Sequence, residues 1–397
     1  MRGVLGSTGL TVWILSRAVL LACVFGVVDF PGPDVTADVS VIYRGWYETL
    51  RSGSFPVGDV TWQYPPGAGP VLLAPAVLPF LDYAAAFFVL VFLCDGVVQA
   101  LLGYAGRRPG GSVRGVWVWV VGVPLLGPTA YARYDLMVTA VAVAALVLGA
   151  GRPRVLGALA GLGALLKVWP LLLLTGVERG RATRLALGAA AAVAAGVALP
   201  LLALPGGWAF LTAQRDRGTE IESLGGLVFH GARYLGWDGR VLLHYGSVEF
   251  LGPGVPLVSA LALGLAGAAL GWLLLWRRRA RAWPVEDAAF AAVLLFTTTS
   301  RVISPQYMLW LVGLAAMCLC AGASRMGRAA GLVLVATGVT VLEFPVFFAE
   351  VTASTPWGVG LLFLRNGLLV AATLYAAGAL RRAGAESRAP RTAVGRA

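Results

Sequence analysis

Two carboxylates, Asp34 and Asp38, stand in the run Asp34-Val-Thr-Ala-Asp38-Val-Ser-Val-Ile-Tyr43, just after the first apolar stretch of the chain. A carboxylate held there can take the proton from an attacking hydroxyl. It can equally close a turn by accepting backbone N–H groups. Asp59 and Asp82 fit the turn role better than the catalytic one. Lys167, the only lysine, lies mid-run in Leu165-Leu-Lys-Val-Trp-Pro170. A charge inside an apolar segment is costly unless it faces a cavity or a partner. An ammonium there would suit an anionic phosphate entering from the lipid side; snorkelling or pairing with a carboxylate is the plainer alternative. Arg301, followed by Ser304-Pro-Gln306, carries the planar fork that grips phosphate oxygens, with lipid headgroup contact as its plainer use. Arg133-Tyr-Asp135 reads as a phosphate site or as a local ion pair beside an interfacial aromatic. The run Gln214-Arg-Asp-Arg-Gly-Thr-Glu-Ile-Glu-Ser223 concentrates charge in one loop, where a solvated face competes with function. Arg17, inside the first apolar stretch, is expected to snorkel to the inner surface.

These groups need a frame, and composition supplies it. The chain is 58% hydrophobic and 13% charged, with mean hydropathy +0.80, against about 25% charged in ordinary soluble proteins. Apolar runs long enough to span recur throughout, so a polytopic, all-α membrane protein is expected. Arg-rich loops at 107–114, 152–154, 179–184, 277–281, 325–328 and 381–382 should be cytoplasmic. Crossings then fall near 10–28, 84–104, 115–131, 134–150, 185–204, 254–276, 286–300, 307–322, 329–348 and 358–380. That makes about ten, with both termini inside. Two apolar stretches, 67–81 and 155–176, break the parity and are expected as re-entrant or half-helical segments broken at Pro79 and Pro170. Non-helical backbone at such depth lines a cavity or is buried in protein. Gly157-Ala-Leu-Ala-Gly161 and Gly267-Ala-Ala-Leu-Gly271 have the small-residue spacing of closely packed helices. No cleavable signal peptide is evident. A single transmembrane domain, 1–384, with outer loops 29–66 and 205–253 and a disordered cytoplasmic tail, 385–397, is expected. On this topology the polar islands share the outer face of a multi-pass plasma (inner) membrane protein.

The net charge of +12 is accounted for by the cytoplasmic loops, and no basic groove or base-stacking module points to nucleic acid. Cys23, Cys94, Cys318 and Cys320 lie in apolar segments and read as small hydrophobes. With only His230 and His244 available, a histidine-built metal site is not expected.

Asp38-Val-Ser-Val-Ile-Tyr43, then Gly53, then Tyr64-Pro-Pro66 resemble the opening of glycosyltransferase family 87. These are polyprenol-phosphate-mannose-dependent transferases of the GT-C architecture, including actinobacterial phosphatidylinositol-mannoside mannosyltransferases. Arg133-Tyr-Asp135, Ala164-Leu-Leu-Lys-Val-Trp-Pro170, Arg217-Gly-Thr-Glu-Ile-Glu-Ser223 and Ser304-Pro-Gln-Tyr-Met-Leu-Trp310 are similar to later blocks of that family in the same order, and the likeness runs from about residue 30 to 312. It implies an active site at the outer membrane face, a lipid-phosphate sugar donor, a glycolipid or glycan acceptor and a catalytic acid in the first outer loop. Asp38 matches that acid; Asp34 corresponds to an extra acid in some relatives, and an offset between the two stays open.

With the resemblance, Asp38 becomes the expected general base of an inverting displacement. Lys167, Arg215, Arg217, Arg301 and Arg133 become candidate ligands of the donor phosphate. Asp34, Tyr64, Asp135, Glu220, Glu222 and Gln306 become candidate sugar or acceptor ligands. No cofactor and no resident metal is expected, although a loosely bound divalent cation is compatible. A flippase for a lipid-linked sugar, a ligase-like transferase of whole glycans, and arabinofuranosyl transfer remain alternatives. Against transport stand the lack of an internal repeat and the crowding of polar groups on one face.

Overall fold

The computed structural model describes residues 7–213, 217–280 and 283–386. The expected position Arg215 and most of the expected tail, 387–397, lie outside the described residues. Each expected crossing forms a helix: Ser7–Val24, Tyr83–Gly106, Arg114–Gly122, Asp135–Leu148, Arg181–Leu202, Val255–Arg279, Val285–Thr299, Tyr307–Cys320, Gly327–Val341 and Pro356–Glu386. A hydrocarbon core of about 30 Å takes roughly 20 helical residues. By length and composition five helices meet that need: Tyr83–Gly106, Arg181–Leu202, Val255–Arg279, Gly327–Val346 and Pro356–Ala385. The others are shorter, so helix length alone supports five crossings and not the ten expected.

Both parity-breaking stretches are broken, as expected. The helix Pro153–Leu166 stops where Lys167 turns extended (φ −149°, ψ 142°), and a tight helical turn, Trp169–Gly176, follows. Pro170 has no N–H to offer the Leu166 carbonyl, which accepts the Tyr134 hydroxyl at 3.4 Å instead. The break therefore precedes the proline and leaves Lys167 at the open end of a helix. The other stretch forms Ala68–Leu73 and a tight turn, Ala74–Val77. Its Gly67 lies so close to Leu165 that a Cβ there would come within 2.6 Å of the Leu165 Cβ. The two broken segments thus dock beside Lys167.

The Arg-rich loops pair with the segments that flank one another's helices. Gly111 pairs with Ala321, Arg108 donates to the Val147 carbonyl (3.1 Å) and Arg277 to that of Val177 (2.8 Å). Asp38, Gln63, Arg217 and Arg301 line one cavity, to which none of these loops contributes a lining residue. The chain is not helical throughout, as the all-α expectation had it. Thr219–Glu220 (β1), Arg240–His244 (β2) and Ser247–Leu251 (β3) form an antiparallel sheet in the order β1-β3-β2. The β2–β3 turn is Tyr245-Gly246, with φ 49° and 72°, the left-handed pair that two-residue hairpins require.

Arg17 does not snorkel: it is 1% exposed and ion-pairs with Asp95 at 2.8 Å. The reason lies in the break after Gly122. Pro124 cannot donate to the Val120 carbonyl, so Arg17 Nη1 does (2.7 Å), while Nη2 reaches the Trp119 carbonyl (3.2 Å). Asp95 also accepts from Trp119 Nε1 and Tyr131 Oη, both at 2.7 Å. Asp95→Ala strands a buried guanidinium and should destabilise the protein by about 3–5 kcal/mol. Loss of monodisperse protein in detergent, or a sharply lowered melting temperature, is the expected readout; an unchanged melting temperature would mean that the pair is dispensable.

Candidate functional site

Asp38 opens a wide helical turn, Asp38–Tyr43, that runs straight into the helix Arg44–Arg51. Buried Val39 and Tyr43 anchor this turn; the Tyr43 ring stacks on Trp46 at 5.4 Å and meets Tyr134 at 6.0 Å. The Asp38 side chain, 36% exposed, receives Arg133 Nη2 at 2.9 Å. Arg133 is itself buried and donates to the carbonyls of Val35 (3.0 Å) and Ala132 (2.7 Å). It therefore holds the loop and orients the carboxylate together. Asp59 and Asp82 take the turn roles expected of them: Asp59 accepts from Thr61 N–H (2.8 Å), and Asp82 caps the following helix through Ala85 N–H (3.0 Å).

Asp38 lines a cavity of about 440 Å³ together with Tyr64, Lys167, Arg217, Arg301, Ser304 and Gln306. Lys167 stands within 5.0–5.7 Å of the rings of Tyr64, Tyr134, Tyr307 and Trp310. Its ammonium lies 2.6 Å from Asp135, which also accepts from Trp310 Nε1 at 2.8 Å. Pairing, one of the two plainer readings, thus holds for Lys167, although it still faces the cavity. Arg217 is fixed by Glu249 (2.7 Å), Gln63 Oε1 (2.9 Å) and Ser247 Oγ (2.6 Å). Gln63 Nε2 also donates to the Tyr245 carbonyl, tying the hairpin tip to the loop that carries Asp38. Arg301 donates to the Arg217 carbonyl at 3.1 Å, so the two guanidinium-bearing segments are joined. Gln306 ends the segment as the N-cap of Tyr307–Cys320.

Not every expected ligand reaches the cavity. Asp34 is exposed, bonds Thr36 N–H (2.8 Å) and its hydroxyl (2.7 Å), and lines a separate depression. Asp135 lies behind Lys167 at 1% exposure. Glu220 is buried against the backbone, accepting Ile303 N–H at 2.6 Å and Ser304 Oγ at 2.8 Å. Burial pushes its carboxyl upward, while Arg217 and those two donors restrain the rise. Glu222 is also buried, pushed well up by burial and by the neighbouring carboxylates of Glu220 and Glu343. Neither Glu220 nor Glu222 is among the residues that line the cavity; Glu220 instead holds the Ile303–Ser304 segment of its wall.

Three cations, Lys167, Arg217 and Arg301, and one carboxylate, Asp38, line the cavity, which favours an anionic ligand beside a proton acceptor. Arg217, Phe296, Ser300 and Arg301 also line a second hollow of about 780 Å³. It runs down the helix Val255–Arg279 past Val255, Ser259, Leu263 and Ala266, a single helix face about 16 Å long at 1.5 Å per residue. A charged head and an apolar chain could thus be held at once. Among the described residues no three His, Cys, Asp or Glu side chains cluster in a way that would hold a metal ion.

Glu249, Arg365 and Gln63 carried no expectation from the sequence, yet Glu249 and Gln63 hold Arg217 at the cavity. Glu249 carried no signal, being one acid in a polar loop. Arg365 did: a charge within an apolar helix is a signal in itself.

The family model that matches the chain is that of glycosyltransferase family 87, over residues 62–305. Asp38, Glu343 and Arg365 lie outside the matched segment. No curated protein and no solved structure matches the chain.

Proposed function

The chain belongs to glycosyltransferase family 87, and from that premise we propose that it moves a sugar, mannose in the first instance, from a polyprenyl phosphate to a cell-envelope lipid or glycan. Family membership makes it a transferase, so transport without bond cleavage is set aside. The observation that carries the donor class is the junction at Arg217 and Arg301. There a cation-lined cavity meets an apolar hollow suited to one long chain.

In the proposed reaction the acceptor oxygen attacks the anomeric carbon and the bond from that carbon to the phosphate oxygen breaks. Polyprenyl phosphate leaves with the bonding electrons. The acceptor proton passes to Asp38, and the anomeric configuration inverts. The leaving group gains negative charge as the bond opens, and Arg217, Arg301 and Lys167 meet that charge without needing to protonate it. Tyr64 and Gln306, which line the same cavity, are left to contact sugar hydroxyls. The absence of the Arg-rich loops from the lining of the cavity supports a plasma-membrane protein with its site facing outside.

The test uses membranes with the wild-type protein and polyprenyl-phosphate mannose labelled in the sugar. Label should move into a glycolipid or glycan, and transfer should persist in EDTA because the phosphate charge is met by side chains. Transfer abolished by EDTA and restored by Mg²⁺ or Mn²⁺ would assign part of that role to an ion. Transfer from polyprenyl-phosphate arabinose but not mannose would keep the mechanism and change the sugar.

A further inference from the structure

Arg365 sits inside the last helix, Pro356–Glu386, wholly buried and beyond the family-matched segment. Its guanidinium meets three partners from different parts of the chain. Nε and Nη2 face the Glu343 carboxylate at 3.1 and 2.5 Å. Nη2 also donates to the Glu222 carbonyl (2.9 Å), and Nη1 to the Ile303 carbonyl (3.3 Å). The same Ile303 is held from its other side, since its N–H goes to Glu220 at 2.6 Å. Glu220 in turn takes the Ser304 hydroxyl, and its own N–H donates to the Arg301 carbonyl at 3.1 Å. Residue 303 lies between two cavity-lining residues, Arg301 and Ser304. Its N–H and C=O are the groups whose direction sets where those side chains emerge.

We propose that Arg365 is a positioning residue for glycosyl transfer: from the last helix it fixes the Val302–Ser304 backbone, so that Arg301 and Ser304 are aimed into the cavity before substrate arrives. Such preorganisation is what electrostatic stabilisation of a leaving group requires, because a clamp that must reorient loses most of its effect. Only an arginine fits the task. Its planar fork serves a carboxylate and two carbonyls at once, whereas a lysine offers one point of charge. The link from positioning to catalysis rests on the reading of Arg301 as a ligand of the donor phosphate.

Two full-length variants test this in nanodiscs. Arg365→Lys keeps a cation opposite Glu343 but cannot span both carbonyls. Arg365→Met with Glu343→Leu removes the buried pair together, which avoids stranding one charge. The first readout is amide exchange of segment 300–306 in the substrate-free protein, which needs no assumption about the donor. Exchange there should quicken about tenfold or more while the rest of the protein stays protected. The second readout is kinetic: donor KM and inhibition by polyprenyl phosphate should weaken about tenfold, with a smaller change in kcat. Combined with Arg301→Ala, either variant should add little, since both act on one contact. Unchanged exchange in Arg365→Lys overturns the brace, even if the double variant fails to fold. Quickened exchange with wild-type donor KM makes Arg365 structural only and overturns the positioning role. Arg301→Ala with wild-type KM overturns the donor-clamp reading itself, a failure visible without any Arg365 variant.

Discussion

Asp38→Asn should lower the transfer rate about 10²–10⁴-fold, the range that a positioned general base contributes, and leave donor binding nearly intact. The substitution keeps size and shape but cannot accept the acceptor proton. Its cost to the fold should be small. The pair with Arg133 is 36% exposed on the Asp38 side, so solvent screening leaves it worth less than about 1 kcal/mol. Arg133 keeps its two backbone carbonyl partners. Asp34→Asn is the matched control: that carboxylate is exposed and, among the described residues, bonded within its own turn, so transfer should stay within about twofold of wild type. The measurement is initial rate of label transfer at saturating donor, with melting temperature recorded in parallel. A wild-type rate in Asp38→Asn would remove Asp38 as base. Loss of activity in Asp34→Asn at normal stability would move the base to Asp34 and require that the loop rearrange.

How much of this was legible from the chain follows from range. Apolar runs and Arg-rich loops are local signals, and each of the ten expected crossings found its helix. Lys167 was legible as a charge facing a cavity, and the family blocks around it point to the residues that line that cavity. What could not be read is partnership across long sequence separation. Lys167 and Asp135, Arg17 and Asp95, and Arg365 and Glu343 are all buried pairs, and nothing local in either partner names the other. The same blindness cast Glu220 and Glu222 as sugar ligands. Their acidity was visible, but the donors to Glu220, the Ile303 N–H and the Ser304 hydroxyl, sit 83 and 84 residues away. The hairpin was a missed local signal, because Tyr245-Gly246 between Val-Leu-Leu-His and Ser-Val-Glu-Phe has the turn and the apolar flanks of a β-ribbon.

Lys167→Met should unfold or strongly destabilise the protein, and that result alone would say little about catalysis. Asp135 is 1% exposed and would be left as a buried charge facing an apolar neighbour, at a cost of about 3–5 kcal/mol. Lys167→Met with Asp135→Asn separates the two roles. The pair is neutralised, and asparagine still offers an acceptor to Trp310 Nε1, so stability should return to within about 1–2 kcal/mol of wild type. Activity should not return with it. If the ammonium meets the charge that develops on the leaving phosphate, its removal costs about 10²–10³-fold in kcat, the scale for losing one preorganised donor. Stability and turnover must therefore part company in the double variant. A double variant that is both stable and fully active would confine Lys167 to holding the break between Leu166 and Trp169. The burden of the leaving phosphate would then fall on Arg217 and Arg301, the two cations at the mouth of the apolar hollow.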